Sequence, residues 1–141
     1  MKEYEAKLKA NMKRNQKYLK EFEQWLNENG LSKKTIRKHV NNASLYINNY
    51  LNYYDITKAE EGMDEVYSFL NGWFIEKCAW ASKISLKQTA ASIKKFYQYM
   101  SEYNYVNIED YKELCWVIKD NMDEFLEQID ALEDGTYFDI F

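Results

Sequence analysis

A chain of 141 residues with 19 Lys and Arg, 23 Asp and Glu, four glycines, no proline and two cysteines has the length of one domain. At that size roughly 70% of the unfolded surface can be buried, so no disulfide framework is needed, and Cys78 and Cys115 read as buried free thiols of a reducing compartment. The opening MKEYEAKLKANMKRNQKYLK lacks the apolar run of roughly 7 to 15 residues that a secretory leader needs, and no stretch of about 18 apolar residues occurs later. Secretion and membrane spanning are therefore not expected, and a cytoplasmic location is.

The net charge of −4 conceals a polarity along the chain: residues 1–50 carry +6, residues 51–100 balance, and residues 101–141 carry −10. Such an asymmetry suits a nucleic-acid face or an interaction tail, and it equally suits solvated helix faces.

With glycine only at positions 30, 62, 72 and 135, the chain lacks the punctuation of strands and hairpins and reads as helical throughout. A first helix is expected from about Glu3 to Asn29, with Tyr4, Leu8, Met12, Leu19, Phe22, Trp25 and Leu26 near one face and Gly30 as its C-terminal cap. The gap in that stripe between Met12 and Tyr18 predicts early turns that fray or project from the body. Ser32 caps a second helix through Ile36, Val40, Ala43, Ile47 and Leu51, whose other side carries Lys33, Lys34, Arg37 and Lys38.

Thr57 with Glu60 has the spacing of a capping box, and a third helix through Val66, Leu70 and Phe74 comes after Gly62, with Trp73 and Trp80 filling core. Ser85 with Gln88 is a second such pattern. It opens a fourth helix whose Leu86, Ala90, Ile93, Phe96, Tyr97 and Met100 face inward, leaving Lys87, Gln88, Ser92, Lys94 and Lys95 toward water. Asn107 with Asp110 starts a fifth helix over about 107–134, acidic outside, running from Ile108 through Leu114, Ile118, Phe125 and Ile129 to Gly135. The apolar tail, residues 135–141 with the run TYFDIF, is expected to fold back onto the body or to dock on another molecule. The whole predicts an all-α, single compact bundle of four to five helices.

Site chemistry is sparse. His39 has no Cys or His at ligand spacing and reads as a surface or boundary residue. The acidic residues Asp123, Glu124, Glu127, Asp130, Glu133 and Asp134 obey a helical repeat rather than a calcium loop. No glycine-rich phosphate motif occurs, and the 13 tyrosines read as packing residues. No cofactor, metal or catalytic constellation is expected.

The runs FEQWLNENGLSKKTIRKHVNNASLYINNYL and SLKQTAASIKKFYQYMSEYNYV, within about residues 18–106, resemble the SAM-like core-binding domain that precedes the catalytic domain of tyrosine recombinases and phage integrases. The likeness rests on Phe22, Trp25 and Leu26; on Gly30, Leu31, Ser32, Thr35 and Ile36; and on Ser85, Thr89, Ile93, Lys94, Lys95, Phe96 and Tyr97. Asn104 stands where that family often has glycine, and Asn tolerates the left-handed backbone of such a turn. The resemblance implies a bundle that clamps duplex DNA with its second and fourth helices. That role then falls on Lys33, Lys34, Thr35, Arg37, Lys38 and Asn41, and on Lys87, Gln88, Ser92 and Lys95.

Lysine neutralises phosphate, Arg37 suits guanine, and Gln88 or Asn41 suits adenine. The family's Arg, Lys, His-x-x-Arg and nucleophilic Tyr set has no counterpart, since only Arg14, Arg37 and His39 are available, so strand cleavage is not expected. Two functions stand as expectations. One is a non-catalytic DNA-binding module, accessory or regulatory, or a mobile-element relic. The other is a protein-interaction or self-association module that uses the acidic helix and apolar tail.

Overall fold

The computed structural model describes residues 2–134, and the expectations for Gly135 and the TYFDIF tail fall outside them. Five helices succeed one another along the chain, and the described residues contain no strand. Helix α1 is Lys2–Glu28. Helix α2 is Lys33–Ser44 and runs on without a break into a π-helical segment, Leu45–Tyr50. Two 3-10 turns, Ala59–Glu61 and Met63–Glu65, lead into α3, which is built from Val66–Ser68, the π-helical Phe69–Trp73 and Phe74–Lys77. Helices α4, Lys83–Glu102, and α5, Ile108–Glu133, complete the bundle.

Local chemistry explains most boundaries. Helix α1 ends in a Schellman motif: Gly30 takes φ +81, its N–H bonds the Asn27 carbonyl at 3.0 Å, and the Leu31 N–H bonds the Leu26 carbonyl at 3.3 Å. Helix α4 closes the same way on Asn104, at φ 61, with Tyr105 N–H on the Met100 carbonyl at 2.9 Å. Ser32 caps α2 through the Thr35 N–H, and Asn107 caps α5 through the Glu109 N–H.

Two boundary expectations and one core expectation are corrected. Helix α4 starts three residues early, because the reciprocal box is formed by Ser82 and Ser85: Ser82 Oγ accepts from the Ser85 N–H at 3.1 Å and Ser85 Oγ from the Ser82 N–H at 2.8 Å. Gln88 has no part in it. Thr57 caps nothing; its N–H goes to the Leu51 carbonyl, and the chain makes two 3-10 turns before α3 can begin. Trp80 is 54% exposed, packing one edge against Phe74 instead of filling core, whereas Trp73 is buried.

The first turns of α1, residues 2–10, stand clear of the body as expected, exposed except for half-buried Leu8, and attachment begins at Asn11. Asn11 and Asn15 are fully buried and extend the line of Tyr18, Phe22, Trp25 and Leu26 at helical spacing, while Tyr4 and Met12 remain exposed. Asn11 Nδ2 donates to Asn52 Oδ1 at 2.8 Å and to the Thr57 carbonyl at 3.1 Å, and its Oδ1 accepts from Arg14. Asn15 Nδ2 donates to the Ile47 carbonyl and to Asn48 Oδ1. Amides thus do in this half of α1 what aromatic packing does in the other half.

The core is aromatic. Phe22 and Trp25 of α1 meet Phe96 and Tyr99 of α4, and Tyr46 and Tyr50 of the first π segment meet Phe69 and Trp73 of the second. Each such ring buried contributes about 1.5–3 kcal/mol. Two buried phenols pin the connector before α3: Tyr46 Oη donates to the Gly62 carbonyl at 2.5 Å and Tyr97 Oη to the Ala59 carbonyl at 2.7 Å. A Cβ at Gly62 would stand 2.5 Å from Leu51 Cδ1 and 2.7 Å from Tyr97 Oη, so any side chain there must displace these two buried groups.

Asn11→Ala is expected to destabilise the fold by about 1–3 kcal/mol in urea unfolding, the usual cost of leaving buried polar partners unpaired. Asn11→Leu, although it completes an apolar stripe, is expected to lose as much, because Asn52 and the Thr57 carbonyl lose the amide that satisfies them; a gain in stability would mean that apolar packing, not the amide, holds these turns.

Candidate nucleic-acid interface

Helix α2 packs most extensively along α4. The seam closes on Ser92, which is 1% exposed. Its hydroxyl lies 3.0 Å from the Gln88 carbonyl, 3.0 Å from Asn42 Nδ2 and 2.8 Å from His39 Nδ1. A serine has one proton; with that proton on Gln88, Ser92 accepts from Asn42 and from an Nδ1–H of His39, the tautomer compatible with all three contacts. The assignment of Ser92 to a DNA-contacting face is therefore corrected. Its hydroxyl joins the two helices and is out of a ligand's reach. The serine lies on the border of α4's apolar arc, where spacing alone does not say which neighbour claims it.

The other nine candidates stay accessible. Lys33, Lys34, Thr35, Arg37, Lys38, Asn41, Lys87 and Gln88 are exposed and Lys95 is half-buried. They are not brought to one surface. Lys33, Arg37 and Asn41 line a groove of about 530 Å3 between α1 and α2, together with Lys20, Glu23 and Gln24. Lys95 stands on the α4 side, close enough to His39 to act on its charge. At about 100° per residue, Lys34 and Lys38 fall on the crest of α2 between those flanks; Gln88 stands within about 40° of Ser92 on the α2 side of α4, and Lys87 about 140° from it, on the side of Lys83 and α5.

Thr35 also serves the cap, since Ser32 Oγ donates to its Oγ1 at 3.0 Å. A second groove of about 500 Å3 continues along α1 with Lys9, Lys13 and Lys20. Those three cations escaped the sequence reading, although positions 9, 13, 16 and 20 share one helix face and all are polar.

None of Lys33, Lys34, Arg37 and Lys38 on α2, and none of Lys87, Lys94 and Lys95 on α4, joins an ion pair among the described residues. The described ion pairs are Lys83–Asp130, at 2.7 Å, and Lys112–Glu109. The first shows where the acidic helix lies. Lys83 and Ser92 are nine residues apart, about 900° of helical rotation, so α5 and α2 flank α4 on opposite sides.

His39 is held below its ordinary pKa of 6.5, first by burial and then by the Lys95 ammonium. The folded state therefore binds fewer protons than the unfolded chain between the lowered value and 6.5. Stability from this site is complete above about 6.5 and is lost as pH falls through the folded value. Lys95→Gln is expected to raise the His39 pKa in an NMR titration, and His39→Asn to flatten the acid-side loss of stability. Ser92→Ala, which strands His39 and Asn42, is expected to cost about 1–3 kcal/mol in urea unfolding.

No protein-family model, curated protein or solved structure matches the chain.

Proposed function

We propose that the chain is a non-catalytic DNA-binding module of the kind that the integrase core-binding domain exemplifies, with α2 as the central contacting element and α1 and α4 as its shoulders. The observation that supports this reading is the placement of cations that join no ion pair among the described residues, exposed on α2 and along α1 and half-buried at Lys95 of α4, while α5 packs on the far side of α4 and on α3. A helix with its side chains is about 10–12 Å thick, and the Debye length at physiological salt is about 8 Å. With α4 interposed, the carboxylates of α5 are screened from a phosphate backbone lying on α2.

The chemistry divides by position. Lys34 and Lys38 on the crest, and Lys33 and Arg37 in the α1 groove, supply phosphate neutralisation and counterion release. Arg37 and Asn41 add planar donors and acceptors able to read base edges, at about 1–3 kcal/mol of discrimination for each good bidentate pair. Ser92 and His39 hold the two helices in register and touch no ligand. The net charge of −4 gives no general attraction, so affinity rests on this local field.

Fluorescence anisotropy with a labelled duplex at several salt concentrations tests the reading. If six phosphates are neutralised, the log-log slope of affinity against salt is about −5. Changing Lys33, Lys34, Arg37 and Lys38 together to Ala is expected to make that slope shallower by about 3.6. Absence of binding at low salt, or a slope indifferent to the fourfold change, overturns the proposal.

A further inference from the structure

On another part of the molecule the two π-helical segments pack against each other beside a cavity of about 500 Å3, lined by Tyr50, Tyr54 and Trp73 and by the carboxylates of Asp55, Glu65 and Glu76. The rings form walls rather than a stack. Tyr50 meets Trp73 at 70° with centroids 5.5 Å apart, and Tyr54 at 83° and 6.4 Å. Among the described residues no lysine or arginine lines the space, so the charge on its walls is negative.

The same chemistry is already used next door. The Lys77 ammonium lies 5.5 Å above the Tyr53 ring, and Tyr53 packs edge-on against both Tyr54 and Trp73. A cation over an aromatic face is attracted by the ring quadrupole, more strongly when the site is desolvated.

Gly72, on the cavity wall, has no conformational or steric need to be glycine: its φ is not positive, and a Cβ would meet nothing within 4 Å. Glycine inside a helix costs about 1 kcal/mol against alanine, so the missing side chain carries a cost whose visible result is open space. The π segments point the same way. Such wide turns are rare and often border functional sites, and both of those described in this chain contribute residues to this one cavity.

We propose that this cavity binds an organic ammonium group, the chemistry shared by a lysine side chain of a protein partner and by a free polyamine. The rings take the alkyl stem and the face of the cation, and the Asp55 and Glu65 carboxylates accept its N–H groups. Tyr50 Oη donates to Glu65 Oε2 at 3.4 Å and so orients one acceptor at the cavity. This site is independent of the cations on α2.

The test titrates the full chain, 15N-labelled, with N-acetyl-lysine methylamide and with spermidine, against sodium chloride at matched ionic strength. The readout is the assigned Trp73 indole N–H, which has no acceptor among the described residues. At least one ammonium probe is expected to shift it saturably. Saturation by the lysine amide assigns a protein partner, and saturation by spermidine alone a free polyamine. The double variant Asp55→Asn, Glu65→Gln, at two exposed positions, is expected to bind about tenfold more weakly. Gly72→Leu, which fills the space from an unstrained backbone, is expected to abolish the shift with helicity unchanged. A response no larger than that to sodium chloride, or full affinity in the double variant, overturns the assignment.

Discussion

The rotational setting of α2 about its own axis governs everything this molecule presents to its surroundings. Two unlike sets of hydrogen bonds fix it. On one flank Asn15 of α1 holds the Ile47 carbonyl and Asn48, and on the other Ser92 of α4 holds His39 and Asn42. Between them Ile36 and Ala43 enter the core. Turning the helix by one residue, about 100°, would withdraw the partners of the buried Ser92 and drive a charged side chain into the seam. The polar bonds therefore specify orientation where apolar packing alone would tolerate several, and they leave Lys34 and Lys38 no position but the crest.

That division of labour between apolar bulk and polar specification recurs. Tyr46 and Tyr97 contribute ring burial to the centre while their hydroxyls fasten the two irregular turns ahead of α3. Burial holds both phenols neutral, with pKa values well above the ordinary range; at Tyr97 the Glu60 carboxylate adds to the effect. A phenol that cannot ionise remains a donor, which is what a carbonyl partner needs. Cys78 is a comparable case, its thiol pushed up to about 11 by burial, and it acts as packing.

The number and order of the helices were legible in the sequence because most caps and glycines are local signals. Gly30 and Asn104 end helices where backbone chemistry alone says they should, and Asn107 begins one. What escaped was whatever depends on a partner distant in the chain. Asn11 and Asn15 read as gaps in an apolar stripe because their acceptors are 32 to 46 residues away. Ser82 escaped for a different and local reason: Ser82 and Ser85 are equally good caps by type, and the earlier one is the cap because Ser85 closes the reciprocal box with it. Ser92 had the right spacing to face either water or a neighbouring helix. Of the candidate surface, the α2 and α4 cations were legible by charge, while the α1 lysines that extend it became visible only when the grooves beside α2 were formed.

The widened turn at Leu45–Tyr50 also governs how this chain can change over generations. A π turn holds about one residue more than an α turn, so one residue can be lost there with the helix returning to ordinary pitch and the flanking turns keeping their faces. The amino-terminal part of α2 would keep its bonds to α4, while the residues of the widened segment, Tyr46 and Tyr50 together with the Ile47 and Asn48 partners of Asn15, would change place. Heredity could thus retune or erase the aromatic recess by a single-codon loss that leaves the α4 anchor of the basic ridge in place and takes only its α1 anchor at Asn15 with it.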